Sequence, residues 1–192
     1  MDTLYRSLSE VTDSLIRRAD LLLYRRRGAI SIAGRGAHSH AAKASWAGRE
    51  SDVPMVLETR SIVGARAVTL ASQVRVYPGR IDVYHSNAGD RWPEYDRQKA
   101  DRAMWCMVGK KYGWWGLACA AVLHLPVVRW FVRAELDDLA IDKRPPFCSH
   151  ACAYADRVGG GVDPVKHLSD RLTEPADLAR SLFYDYAFTL IP

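Results

Sequence analysis

The sequence is poor in cysteine, in lysine and in unbroken apolar runs. Four Cys in 192 residues are too few for a disulfide framework, so a hydrophobic core must hold the chain together. Of the 27 basic residues only six are Lys and 21 are Arg, and the Arg are spread along the whole chain. The formal net charge of +5 permits an anionic partner without requiring one. The opening stretch MDTLYRSLSEVTDSLIRRAD has no apolar centre and no small-residue cleavage site. A secretory signal is therefore not expected there, and a cytoplasmic location is the default, with a dedicated export system or phage lysis as other routes. There is no internal repeat and no low-complexity stretch, which excludes solenoids and disordered tails. The one long apolar stretch, Tyr112 to Val132, contains His124, Pro126 and Arg129, with Gly113 and Gly116 near its start. It reads as a buried or peripheral helix, with contact to lipid as the alternative.

What is present fits one soluble domain. Hydrophobic residues make up 48%, with six Trp, nine Tyr and four Phe, enough for a sizeable core. Leu4, Leu8, Val11, Leu15 and Ile16 recur at helical spacing and predict an N-terminal helix over 1–18. Asp20 to Tyr24 reads as a short buried strand. Residues 37–46 predict a strand with His38, His40, Ala42, Ala44 and Trp46 on one face and Ser39, Ala41, Lys43 and Ser45 on the other. Further strands are predicted at 53–60, 65–70 and 80–85. Pro93 opens a helix reaching about Val108. An acidic turn is expected at Glu135 to Asp138. The Pro145-Pro146 pair leads into a helix over 148–158, ended by Gly159 to Gly161. A last helix is expected from Ala176 to Phe183. The order of a helix, four or five strands and then helices implies α+β with a mostly antiparallel sheet.

Cys148 stands at the first turn of a predicted helix, where the partial positive charge favours a thiolate. Backbone N–H groups there can also receive a developing oxyanion. A plain buried thiol is the other reading. A nucleophilic thiol needs a base. His150 lies two residues away on a different helix face, and His124 sits in the apolar stretch. His38 and His40 share a strand face flanked by small residues. His40 is the first choice and His38 the reserve. Glu58, on the following strand, is the carboxylate that would orient the imidazole. Cys106 and Cys119 read as core residues, and Cys152 as a packed neighbour one turn from Cys148.

Several short segments resemble the NlpC-like papain-fold hydrolases. Ala19-Asp-Leu-Leu-Leu23 is similar to their "G-D-hydrophobic" strand. Ser39-His40-Ala-Ala resembles "S-H-V-G", and Val56-Leu-Glu58 resembles "V-[IL]-E". Lys111-Tyr112 resembles "G-x-x-Y-D", with Gly113 where Asp is usual. Phe147-Cys148-Ser149-His-Ala-Cys-Ala-Tyr154 is similar to the nucleophile helix, and Glu174 to Leu178 resembles the closing "T-P-x-D-L" turn. Here His40 precedes Cys148 by 108 residues, whereas papain-like enzymes place the Cys helix first. That order resembles the circularly permuted branch, the YiiX/YaeF-like proteins, with lecithin:retinol-acyltransferase-like enzymes as relatives. The resemblance spans roughly 15–180.

It implies a single permuted papain-like domain whose central, mostly antiparallel sheet packs on the nucleophile helix. It also implies a cofactor-free cysteine hydrolase, an amidase or peptidase, with Cys148 as nucleophile, His40 as base and then acid, and Glu58 as orienting residue. The substrate would be a peptide or acyl compound, with a peptidoglycan-like amide or isopeptide slightly preferred and a lipid acyl ester or thioester as alternative. Three non-enzymatic readings stand beside it. One is a catalytically inactive binding module on the same fold, which the Gly113 departure favours and the intact Cys148, His40 and Glu58 oppose. Cys148, His150, Cys152, His38 and His40 offer zinc-binding atoms, but Cys148 and Cys152 share a helix face that His150 does not. Arg25-Arg26-Arg27 and Arg35 form a basic loop, but scattered Arg elsewhere argues for a solvated surface, so no nucleic acid is expected.

Overall fold

A computed structural model of the protein describes residues 3–26, 36–47, 53–113 and 146–192. Its centre is a seven-stranded sheet in the order β1-β7-β6-β2-β3-β4-β5. The strands are β1 Tyr5–Ser7, β2 Leu21–Arg25, β3 His38–Ala47, β4 Val53–Arg60, β5 Gly64–Thr69, β6 Arg80–Ser86 and β7 Tyr184–Ile191. Every pairing is antiparallel except that of β1 with β7. Four α-helices are described: α1 Leu70–Val76, α2 Arg97–Trp105, α3 Cys148–Tyr154 and α4 Pro175–Arg180. The fold class is α+β, as the sequence implied.

The central strand β2, Leu-Leu-Leu-Tyr-Arg, is apolar without alternation because both of its faces are covered. Leu22 and Tyr24 join Ala42, Ala44, Val56, Val83 and Phe188 on one face, closed by Leu70 and Val74 of α1. Leu21 and Leu23 join Ala41 on the other, against Cys152 and Ala153 of α3 and Leu178 of α4. Ala41 keeps β3 thin on the face against α3, and Ala42 and Ala44 keep it thin on the face against α1. Three of the four described α-helices, all but α3, start with a side-chain cap. Thr69 accepts from the Ser72 N–H, and Asp96 accepts from the Lys99 N–H at 2.9 Å. At α4, Pro175 follows a reciprocal Glu174–Asp177 capping box.

Several expectations are corrected. Residues 3–18, the described part of the helix predicted over 1–18, do not form one. Tyr5–Ser7 pairs with β7 as a parallel edge strand, and Leu8–Glu10 makes one tight turn. Ser7, Ser9, Thr12 and Ser14 bond one another locally in this region, which favours turns over helix. Leu8, Val11, Leu15 and Ile16 still pack on the core, so the apolar spacing marked burial rather than helix. The helix expected from Pro93 begins only at Arg97, after the Asp96 cap. Helix α1 and strand β7 were not predicted. Tyr184–Ile191 alternates only weakly, and it begins directly after the expected last helix of Ala176 to Phe183, which in the structure ends at Arg180. Cys106, expected in the core, caps the end of α2 and is exposed. The segment 114–132, Cys119, His124, the 135–138 turn, Arg27 and Arg35 lie outside the described residues. Among those described, no helix is long and apolar enough to cross a membrane.

Candidate active site

The three residues singled out from the sequence meet at one place. Residues Ala42 and Glu58 face each other across β3 and β4. His40 lies two residues along from Ala42, so His40 and Glu58 share a sheet face. His40 Nε2 and Glu58 Oε2 are 2.8 Å apart. The other Glu58 oxygen, Oε1, accepts from Arg66 Nε at 2.9 Å and Nη2 at 2.6 Å. Glu58 is buried. Burial alone would raise its pKa, but His40 and Arg66 together hold it below the usual carboxylate value.

Cys148 begins α3 and is buried, with Phe147 preceding it in extended conformation. Its sulfur is hydrogen-bonded to His40 and to the backbone N–H groups of Ala41 and Ser149. With Nε2 engaged by Glu58, Nδ1 is the ring nitrogen left for the thiol. The pairing of β3 with β4 ends at Ala42–Glu58, while its pairing with β2 runs on to His38. The strands therefore part at Ala41, and the thiol occupies that fork.

The electrostatics favour a thiolate–imidazolium pair. Burial opposes charge on His40, yet its bonds to Cys148 and Glu58 and their charges raise its pKa to about 9. From an ordinary 6.5, that corresponds to about 3 kcal/mol in favour of the charged ring. Burial would likewise raise the Cys148 thiol, but the His40 bond and charge and the two N–H donors bring it below its ordinary value. Tyr112 lies near enough for the Cys148 charge to act on it; burial first and that charge second raise its hydroxyl pKa. The Gly113 N–H donates to the Pro146 carbonyl at 3.2 Å, which ties this segment to the residues just before α3.

The other candidates fall elsewhere. His38, the reserve base, is not on the His40 face. The β2–β3 register shifts between Tyr24 and Arg25: Tyr24 faces His40, Arg25 faces His38, and Ser39 is one residue extra. Simple alternation placed His38 and His40 together; the bulge separates them. The His40 ring packs edge-on against Tyr24 at 4.9 Å, while His38 Nε2 lies 2.8 Å from buried Asp82. His150 is buried beside Phe147. Burial, with Arg171 and Arg157, lowers its pKa to about 3. Cys152 is fully buried and its thiol is pushed up, above all by that burial. Among the described residues no three His, Cys, Asp or Glu side chains are grouped to hold a metal ion.

Arg66, Asp82 and the Ala41 N–H were not singled out from the sequence. Only Arg66 left a signal: it sits directly opposite Glu58 once the β4–β5 hairpin is registered. No family model matches the chain, and no curated protein is significantly similar to it.

Proposed function

We propose that this protein is a cysteine hydrolase, an amidase or peptidase of circularly permuted papain-like architecture. The single observation that carries the reading is the hydrogen-bonded series Cys148–His40–Glu58, with the thiol lowered and the imidazole raised toward an ion pair. A thiolate at Cys148 attacks the substrate carbonyl carbon. Backbone N–H groups at the start of α3 receive the oxyanion. The His40 imidazolium gives its proton to the leaving amine, and the acyl group remains on sulfur as a thioester. His40 then takes a proton from water, whose oxygen attacks the thioester. The acid departs and the thiolate–imidazolium pair returns. Glu58, held by Arg66, keeps the ring oriented and supports its charge. The substrate class argued from the resemblance is an amide or isopeptide in a peptidoglycan-like peptide.

A second reading, hydrolysis or transfer of a lipid acyl ester or thioester, has one observation in its favour. Ile62 and Val63, between β4 and β5, are 94% and 63% exposed. They lie a few residues beyond Glu58, in the turn that follows the strand carrying it.

The test is alkylation of each Cys against pH in wild type, His40→Ala and Glu58→Ala. Rapid labelling of Cys148 on the acid side of neutrality, lost in His40→Ala and reduced in Glu58→Ala, supports the reading. Equal slow labelling with a midpoint near about 8.5 would refute it. Wall peptides and acyl esters offered side by side separate the two substrate readings.

A further inference from the structure

The bulge in β3 is held by a buried carboxylate that the reaction does not use. Asp82, on β6, is fully buried. Its Oδ2 lies 2.8 Å from His38 Nε2 and accepts from Arg25 Nε at 2.9 Å and Nη2 at 2.6 Å. Its Oδ1 accepts from Thr189 Oγ1 at 2.6 Å. His38, Arg25, Asp82 and Thr189 belong to β3, β2, β6 and β7, four neighbours in the sheet. One carboxylate thus ties a row across four strands, and the row ends on the residue that closes the bulge. On the bulge itself, Ser39 Oγ donates to the Tyr24 carbonyl at 3.4 Å.

The position matters because side chains alternate along a strand. A one-residue slip exchanges the two faces. With Ser39 absorbed in the bulge, His38 lies on the Asp82 face and His40 on the Glu58 face. If β3 straightened from Ala41 outward, His40 could keep its place only by turning His38 away from Asp82. If His38 kept its place, His40 would leave Glu58 and the thiol. Regular pairing cannot satisfy both histidines, and the bulge satisfies both.

We propose that the Asp82 clamp on His38 and Arg25 fixes the β3 bulge and thereby sets the face on which His40 meets Cys148. His38 and Asp82 are then positioning residues for the thiol–imidazole pair. The inference rests on the hydrolase reading of that pair.

The experiment is Cys148 alkylation against pH in wild type, His38→Ala, His38→Leu and His38→Gln, with folding followed by circular dichroism. Leu fills the space without bonding Asp82, and Gln restores an N–H donor near the Nε2 position. In folded His38→Ala and His38→Leu, labelling of Cys148 at about pH 6 should slow at least about tenfold and the midpoint move to that of an ordinary thiol. His38→Gln should recover most of the wild-type profile. A folded His38→Leu with an unchanged profile overturns the clamp, as does failure of both His38→Ala and His38→Leu to fold, since His38 would then be only a core residue. Ordinary labelling in the wild type itself overturns the hydrolase reading instead, so the two failures are distinct.

Discussion

Replacing Lys43 by Met should cost this fold several kcal/mol, and replacing its partner as well should restore most of them. Lys43 lies on β3, three residues from His40, and is fully buried. Its Nζ meets Asp156 Oδ2 at 2.6 Å and the Ala19 carbonyl at 2.9 Å. Asp156, just beyond α3, is also fully buried and accepts from the Tyr95 and Tyr184 hydroxyls. Removing Lys43 leaves a carboxylate in the interior with two phenols and no cation. The loss of one partner from such a pair costs about 3–5 kcal/mol, or roughly 6–20 °C in Tm for a chain of this size. Asp156→Asn alone strands the ammonium, with the Ala19 carbonyl, Ser86 Oγ and the Tyr184 hydroxyl as remaining acceptors. Its cost should be similar or somewhat smaller. The double variant removes both charges and keeps an amide for the two tyrosines, so its net loss should be about 1–2 kcal/mol. Urea denaturation of the four proteins gives the cycle, with an expected coupling of at least about 3 kcal/mol. Additivity within about 0.5 kcal/mol, or a Lys43→Met loss under about 1 kcal/mol, would refute the assignment of a tightly coupled buried pair.

Ala19 has φ +62°, a left-handed conformation that costs an L-residue about 1–2 kcal/mol. Ala19→Gly should therefore stabilise the protein by about 0.5–1 kcal/mol after the extra unfolded-state entropy of glycine is subtracted, and a fall in Tm would contradict this. Gly64 has φ +85°, and a Cβ there would run into the Lys110 carbonyl. Gly64→Ala should lower stability by about 2 kcal/mol or more and disturb the Gly109 and Lys110 bonds to Ala65 that lead toward Tyr112; unchanged melting would count against it. The Cys148–His40 pair has its own pH signature. His40, raised to about 9, contributes stability that is complete below pH 6.5 and lost as pH rises through about 9. Cys148, lowered, contributes stability present above its ordinary value and lost as pH falls through its folded one. At pH values above both the folded Cys148 value and about 6.5, and below the ordinary thiol value, native and unfolded states each hold one proton on this pair, so it should add no slope to stability there. Thiolate absorbance at neutral pH, abolished in His40→Ala, checks the assignment.

The sheet and the meeting of Cys148, His40 and Glu58 were legible in the sequence for different reasons. Val53–Arg60 was read to the residue because Pro54 and Arg60 bracket an apolar run. Glu58 was found from its place on that strand, and Cys148 from the Pro-Pro stop before a helix. The N-terminal segment misled because helical spacing and a buried irregular strand can place the same leucines inward. The His38 face misled because alternation assumes a regular ladder, and nothing in Ala37 to Ala41 announces an extra residue. Asp82 and Arg66 were hidden because their roles depend on pairings between strands far apart or newly registered. A strand reading of Arg80 to His85 gives no sign that its Asp will gather three partners.

Strand β3 carries two buried polar commitments beside His40. His38 is tied to Asp82 toward β6, and Lys43 to Asp156 beyond α3. Apolar residues could fill both places at little cost to stability, since well-packed replacements for buried pairs are often neutral or better. Apolar packing, however, tolerates sliding, and a one-residue slide of β3 would exchange its faces. A charge that must meet a partner on another element does not tolerate it. The two ties lie on either side of His40 and Ala41, the two β3 residues that bond the Cys148 sulfur. Lys43 fixes the strand against the body that carries the thiol, and His38 fixes the bulge that aims the imidazole. This division makes the two perturbations separable. Loss of the Lys43 pair should appear first in global stability. Loss of the His38 bond should appear first in the pH profile of the thiol, with a smaller change in melting. The reverse order would mean that the bulge is held by packing alone.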